Sequence, residues 1–133
     1  MGHCSVRLLV RRTIVESQFD LYQEIQQKRH ELDVCIKELR KNGTALAEAE
    51  RAYKIKLREW CLRLRAQEMP IGLIDKTCYG IPEVADLRFA RDVADVTYSA
   101  NKDAVNSLKL QLRIISSQLS AELNSPNVGL GDV

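Results

Sequence analysis

The chain has little of what β-rich folds are built from. Aromatic residues make up only 5% of its 133 residues, and it contains three prolines and six glycines. Three of the glycines lie near the termini, so the middle of the chain has few of the residues that turns between short strands need. Charged residues make up 29% and apolar residues 45%, a mixture typical of amphipathic helices. The composition argues against a sandwich or barrel and favours an all-α fold.

Long apolar runs are also missing. No segment has the roughly 18 uninterrupted apolar residues that a membrane span requires, and Arg7, Arg11 and Arg12 interrupt any signal-peptide core near the start. We therefore predict no membrane partner, a cytoplasmic location and a weakly ordered leader over residues 1–16.

The formal net charge of +2 does not mark a nucleic-acid binder. Any charged partner must be recognised by a local patch.

Constellations typical of metal sites and enzymes are absent from the sequence. Its four cysteines, Cys4, Cys35, Cys61 and Cys78, form no C-x-x-C pair and have no histidine cluster beside them. We interpret them as reduced thiols of a cytosolic protein. No paired carboxylates, Ser-His-Asp set or Cys-His neighbours accompany the polar residues of the predicted helices, so the sequence shows no apparatus for general acid-base or nucleophilic catalysis. The sequence predicts no enzyme, no metal and no cofactor.

Heptad periodicity dominates the first half of the chain. Ser17, with Asp20 three residues later, resembles a capping box and predicts a helix start. Pro70 predicts its end, which gives a helix over 17–68. Apolar or aromatic residues then recur every seven positions, at Ile25, Leu32, Leu39, Leu46, Tyr53 and Trp60. This spacing is typical of a coiled-coil seam.

A second helix is predicted over 83–123, after a connector over 69–82. Pro82 and Glu83 suit a first helical turn, and Pro126 follows its end. A flexible tail is predicted over 124–133. The predicted seam of this helix consists of Val84, Leu87, Arg91, Ala94, Tyr98, Asn101, Val105, Leu108, Leu112, Ile115 and Leu119.

The two seams predict a long antiparallel coiled-coil hairpin. Folding back about residue 75 or 76 pairs Trp60 with Arg91, Tyr53 with Tyr98, Glu50 with Asn101, and Gly43 with Leu108. Every layer is chemically compatible, which favours one unbroken first helix. A break at Asn42-Gly43, a dipeptide that often ends helices, stays the alternative.

A second apolar stripe remains on each predicted helix. Two helices cannot bury both stripes, so we expect a homodimer that forms a four-helix bundle, or a docked partner. The second stripe consists of Ile55 and Leu62 on the first helix, and of Phe89, Val93, Val96, Ala100, Leu110 and Ile114 on the second.

Two surfaces are candidates for binding. Arg51, Lys54, Arg58 and Arg65 share one helix face by their spacing, and such a stripe can hold the phosphates of a nucleic acid or a nucleotide. The alternative for this stripe is a solvated charged face.

The second candidate is the connector, which is unusually apolar for a loop. We predict a short helix from about 71 to 78, capped by Gly80, that closes the tip of the hairpin or binds a protein partner. Lys76 and Asp86 fit poorly with a DNA-reading helix-turn-helix in this position. The predicted tip surface consists of Ile71, Leu73, Ile74, Tyr79 and Ile81.

The stretch from Ala49 to Leu119 resembles small helical-hairpin proteins encoded by phages and prophages of Gram-positive bacteria. The resemblance lies in Ala-Glu-Arg-Ala-Tyr-Lys at 49–54, Leu-Arg-Ala-Gln-Glu-Met-Pro at 64–70 and Val-Ala-Asp-Leu-Arg-Phe-Ala-Arg-Asp at 84–92, followed by Tyr98. It implies a phage accessory protein inside a bacterial cell that binds, and in some cases inhibits, a host or phage macromolecule such as a defence component. The alternative function is a binder of nucleic acid or a nucleotide signal.

Overall fold

Three helices account for the fold in the computed structural model, which describes residues 3–125, with side chains from residue 6. They are α1 (His3–Ala66), α2 (Ile71–Tyr79) and α3 (Pro82–Asn124). No strand occurs within these described residues, and the all-α prediction is confirmed. The chain divides into two compact units, one formed by residues 36–104 and the other by the segments before and after it. Most of the predicted tail, residues 126–133, lies outside the described residues.

The start of α1 differs from the prediction. The helix begins at His3 rather than Ser17, and residues 3–16 of the predicted leader are helical. Neither proline nor glycine lies between His3 and Ser17 to stop the helix from extending towards the N-terminus. The Ser17 hydroxyl donates to a carboxylate oxygen of Glu122 at 3.5 Å instead of capping a first turn. The capping-box prediction at this serine is therefore wrong.

The heptad seams are confirmed as the least exposed faces of α1 and α3. In the unit of residues 36–104, the seam residues Tyr53 and Val84 are buried, and the other seam positions are half-buried. Leu64, four positions after the last seam residue of α1, is buried as well. In the other unit, Leu21 joins the seam residues Val105 and Ile115 in the core. Moreover, α1 passes Gly43 without interruption, so the predicted unbroken first helix is confirmed and the alternative of a break at Asn42-Gly43 is wrong.

The register of the antiparallel pairing differs from the predicted one. Asn42, and not Glu50, lies beside Asn101, to which its amide donates at 3.4 Å. The Trp60 indole nitrogen donates to Glu83 at 3.3 Å, whereas the prediction placed Arg91 there. On α1, the residue beside a given α3 residue thus lies about seven positions earlier in the sequence than predicted. Because seam residues recur every seven positions, this shift pairs seam with seam and leaves the seam residues facing inward.

Aromatic contacts agree with the observed register. The Arg91 guanidinium lies over the Tyr53 ring, 4.8 Å from its centroid, not over Trp60 as predicted. Gly43 faces Tyr98 rather than Leu108, and a Cβ at Gly43 would lie 3.2 Å from Cε2 of that ring. The glycine therefore leaves room for the tyrosine at this layer. With Trp60 beside Glu83, the residues of α1 after Trp60 extend past the start of α3.

The chain leaves α1 through a Schellman motif. Glu68 adopts the left-handed conformation with φ of 62°, the Met69 amide donates to the Leu64 carbonyl at 3.2 Å, and the Glu68 amide donates to the Arg65 carbonyl at 3.1 Å. These two bonds satisfy carbonyl groups at the end of the helix. Pro70 follows and directs the chain into α2. Because glutamate is less stable than glycine in this left-handed conformation, Glu68 lowers the free energy of unfolding by about 1 kcal/mol.

The short helix α2 covers the end of α1 that α3 does not reach. Leu64, Ile74 and Cys78 form its buried cluster, with Met69 and Ile81 packed at the edge. Cys78 has no exposed surface. The predicted short helix is confirmed with bounds Ile71–Tyr79, and Gly80 follows it as the C-cap. At the next boundary the Ala85 amide donates to the Ile81 carbonyl at 2.8 Å, which opens α3.

We predict that Ile74→Ala lowers the free energy of unfolding by about 2–4 kcal/mol, because it leaves a cavity in the cluster between α1 and α2. Hydrogen exchange should show the loss mainly in the α2 amides. Leu73→Ala is the matched control, since its side chain is 52% exposed on the same helix, and it should change stability by less than about 0.5 kcal/mol. Equal effects of the two substitutions would contradict the observed docking of α2.

Candidate binding groove

A groove of about 420 Å³ lies between α1 and α2. It belongs entirely to the unit of residues 36–104. We call it the α1–α2 groove, and its lining consists of Lys54, Leu57, Arg58, Cys61, Leu62, Arg65, Ile71, Ile74 and Asp75. The six residues from α1 follow one another at intervals of three, one, three, one and three, which places them on a single helix face. The groove thus has one wall from a long helix and one from a short helix docked on it.

The floor of the groove is apolar. Leu57 is half-buried and Ile74 is buried against the cluster beneath. At the mouth, Leu62 and Ile71 are exposed by 52% and 77%. Apolar side chains that line a concave surface and remain open to water favour the binding of another apolar group.

The rim of the groove is basic. Lys54, Arg58 and Arg65 line it, and Asp75 is the only acidic lining residue. Lys54 pairs with Glu50 at 3.0 Å on the exposed surface of α1, and the hydrogen bond from this ammonium lowers the pKa of the Glu50 carboxyl. Among the described residues, no carboxylate lies within ion-pairing distance of either arginine. The rim therefore keeps positive charge available to a ligand.

The structure brings the two predicted binding surfaces together in part. Three of the four residues of the predicted basic stripe line the α1–α2 groove, while Arg51 is exposed outside it. From the predicted tip surface, Ile71 and Ile74 line the same groove. Lys54, Arg58 and Arg65 thus stand beside apolar residues that are distant from them in the sequence.

The other tip residues have different surroundings. Leu73 is exposed and does not line the groove. The Arg88 guanidinium lies over the Tyr79 ring at 5.5 Å from its centroid. Ile81 is half-buried against the cluster beneath α2, so it supports the docked helix. The predicted tip is therefore divided between the groove, the solvent and the core.

Leu57, Leu62, Cys61 and Asp75 were not among the predicted site residues. Leu57 lies four positions after the seam residue Tyr53, and Leu62 belonged to the second apolar stripe. Their spacing to Lys54 and Arg58 places them on the same helix face, and this signal was present in the sequence. The sequence contained no comparable signal for the opposite wall of the groove, because that wall depends on where α2 docks.

Other possible sites in the described part of the chain are less well built. A shallow depression of about 810 Å³ near Phe19 and Lys28 is lined by α1 alone and lacks an opposing wall. Within residues 3–125, no three histidine, cysteine or acidic side chains are grouped to hold a metal ion. None of the helices in that range contains a stretch apolar and long enough to cross a bilayer.

Comparison with known proteins yields no match to a protein-family model, to a curated protein or to a solved structure.

Proposed function

We propose that this chain is a non-enzymatic binding protein whose α1–α2 groove receives an acidic, amphipathic segment of another protein. The observation that carries the proposal is the combination of apolar floor and basic rim in a single concave site. A helical segment can lay apolar side chains on Leu57, Leu62 and Ile74 while its carboxylates meet Arg58 and Arg65. This is the usual arrangement of an apolar interface centre with a charged edge.

The phage setting of the proposal comes from the sequence. The resemblance of residues 49–119 to proteins of phages and prophages supports an accessory role in the bacterial cytoplasm. The groove would then bind a host or phage protein, such as a defence component, and block the surface that it covers.

A phosphate ligand is the second candidate function. The exposed side chains of Arg51, Lys54, Arg58 and Arg65 favour it, since they follow one face of α1 as a nucleic-acid backbone requires. Two observations favour a protein segment instead. Glu50 already pairs with Lys54, and the cations border an apolar surface rather than a polar pocket.

We further propose that a second copy of the chain covers the outer face of α3. Phe89, Val93 and Val96 follow one another along one side of this helix, and the first and last are 71% and 69% exposed. An apolar row of this kind is typical of a helix that packs against another subunit. A homodimer would give the four-helix arrangement that the stripe predicts.

The groove proposal predicts the sequences that a random display library of short peptides yields on the wild-type chain. The selected peptides should be acidic and carry apolar residues at helical spacing. Leu62→Asp should weaken the affinity of these peptides at least about tenfold, because it places a charge in the centre of the interface. Leu73→Asp is the matched control, since Leu73 is also 52% exposed but lies outside the groove, and affinity should stay unchanged.

Charge reversal tests the basic rim, which both candidate functions need, and the ligand that binds distinguishes them. The double substitution Arg58→Glu with Arg65→Glu should weaken the binding of the selected acidic peptides. Circular dichroism would verify that this variant and Leu62→Asp keep their helicity. Peptides that lack acidic residues, or that bind equally well to the Leu62→Asp chain, would contradict the groove proposal. Binding of a single-stranded oligonucleotide that falls steeply with salt and is lost on charge reversal would support the phosphate ligand.

The oligomer proposal predicts that the wild-type chain sediments as a dimer. Val93→Glu should give a monomer, because it buries an unpaired charge in the proposed contact. Asp95→Lys, on the opposite side of the same helix, should leave the dimer intact. A monomeric wild-type chain at concentrations up to the millimolar range would rule this contact out.

A further inference from the structure

Two thiols from different helices meet beneath the α1–α2 groove. Cys61 of α1 and Cys78 of α2 are 17 positions apart in the sequence, and their Sγ atoms lie 3.0 Å apart. A disulfide bond is about 2.05 Å long, so bond formation needs the sulfurs to approach by about 1 Å. We propose that Cys61 and Cys78 form a reversible disulfide that fastens α2 to α1.

The surroundings allow this bond to form without rearrangement of the long helices. The partner thiol Cys78 belongs to α2, a helix of nine residues that is joined to its neighbours by short turns at Pro70 and Gly80. A small movement of this helix is enough to close the remaining distance. The hydrogen-bonding contact between the two sulfurs already holds both side chains in facing orientations.

The groove gives the oxidant access to one sulfur only. Cys61 is half-buried and lines the groove, while Cys78 has no exposed surface. Burial, followed by the contact with Cys61 and the nearby Asp75 carboxylate, raises the pKa of the Cys78 thiol to about 11. Cys61 is therefore the thiol that reacts first, and Cys78 is the resolving thiol. The basic rim attracts anionic thiol reagents to this position.

The reaction is a thiol–disulfide exchange with a low-molecular-weight disulfide such as glutathione disulfide. Cys61 gives its proton to water and its sulfur attacks one sulfur of the oxidant, which releases one small thiolate and leaves a mixed disulfide. Cys78 then loses its proton, and its sulfur attacks that of Cys61 and displaces the second small thiolate. The two cysteines are oxidised by two electrons, and the small disulfide is reduced to two thiols after both thiolates take up a proton.

Oxidation links the ends of the segment that contains the Schellman turn and α2. Closing this loop restricts the unfolded chain and stabilises the docked arrangement. It also keeps Ile71, Ile74 and Asp75 beside α1, so the oxidised chain retains the groove. The inference depends on the geometry of the two thiols and is independent of the proposed binding function.

The test is to equilibrate the intact wild-type chain with glutathione buffers of increasing oxidised fraction, block remaining thiols and analyse peptides by mass spectrometry. We expect a Cys61–Cys78 linked peptide that disappears on reduction with dithiothreitol. The oxidised chain should unfold at a temperature higher by about 5 °C or more. Cys35→Ser is the control that should leave both results unchanged.

Single substitutions assign the two roles. In Cys78→Ser, Cys61 should accumulate as the mixed disulfide with glutathione, whereas Cys61→Ser should leave Cys78 unmodified. Thermal unfolding under reducing conditions would verify that each variant folds. If Cys78→Ser, at the buried position, does not fold, Cys61→Ser alone tests which thiol reacts first. A wild-type chain that stops at the mixed disulfide, or that forms only links between chains, would overturn the proposal.

Discussion

The docking of α2 onto the end of α1 is the contact on which the rest of the candidate site depends. A helix of nine residues is too short to be stable alone in water, so α2 forms because Ile74 and Cys78 are buried against Leu64. Burial of an isoleucine side chain such as Ile74 contributes about 1.5–3 kcal/mol. The same contact supplies the second wall of the groove and brings the Cys78 thiol beside Cys61. The α1–α2 groove and the thiol pair are thus consequences of the same contact.

The heptad pattern determined which faces of α1 and α3 are buried but not how the helices are aligned along their axes. A shift by one heptad moves each seam residue onto the next seam position, so burial alone cannot distinguish the two registers. The predicted Glu50–Asn101 pair was as compatible chemically as the observed Asn42–Asn101 pair. Two features favour the observed register. Gly43 admits the Tyr98 ring, and the free end of α1 gives α2 a surface on which to dock.

For the candidate site, too, the sequence predicts which residues share a helix face but not which helices meet. The positions of Lys54, Arg58 and Arg65 on one face of α1 could be predicted from spacing, because a helix of known period fixes which residues are neighbours. The apolar character of the connector was also visible. Their meeting in one groove, and the approach of two cysteines from different helices, are long-range contacts that no local pattern specifies. The extension of α1 to His3 was not predicted, because Ser17 and Asp20 resemble a helix start although no proline or glycine between His3 and Ser17 interrupts the helix.

The most direct test of this account is a nuclear Overhauser spectrum of the chain with selectively protonated aromatic rings, methyl groups and glycine α positions. The observed register predicts cross-peaks between the Gly43 α protons and the Tyr98 ring, together with cross-peaks between the methyl groups of Leu64 and Ile74. Cross-peaks between the Tyr53 and Tyr98 rings, with none from Gly43 to Tyr98, would contradict it. That result would return the helices to the register in which α3 begins beside the end of α1, with no surface left there for α2 and no groove.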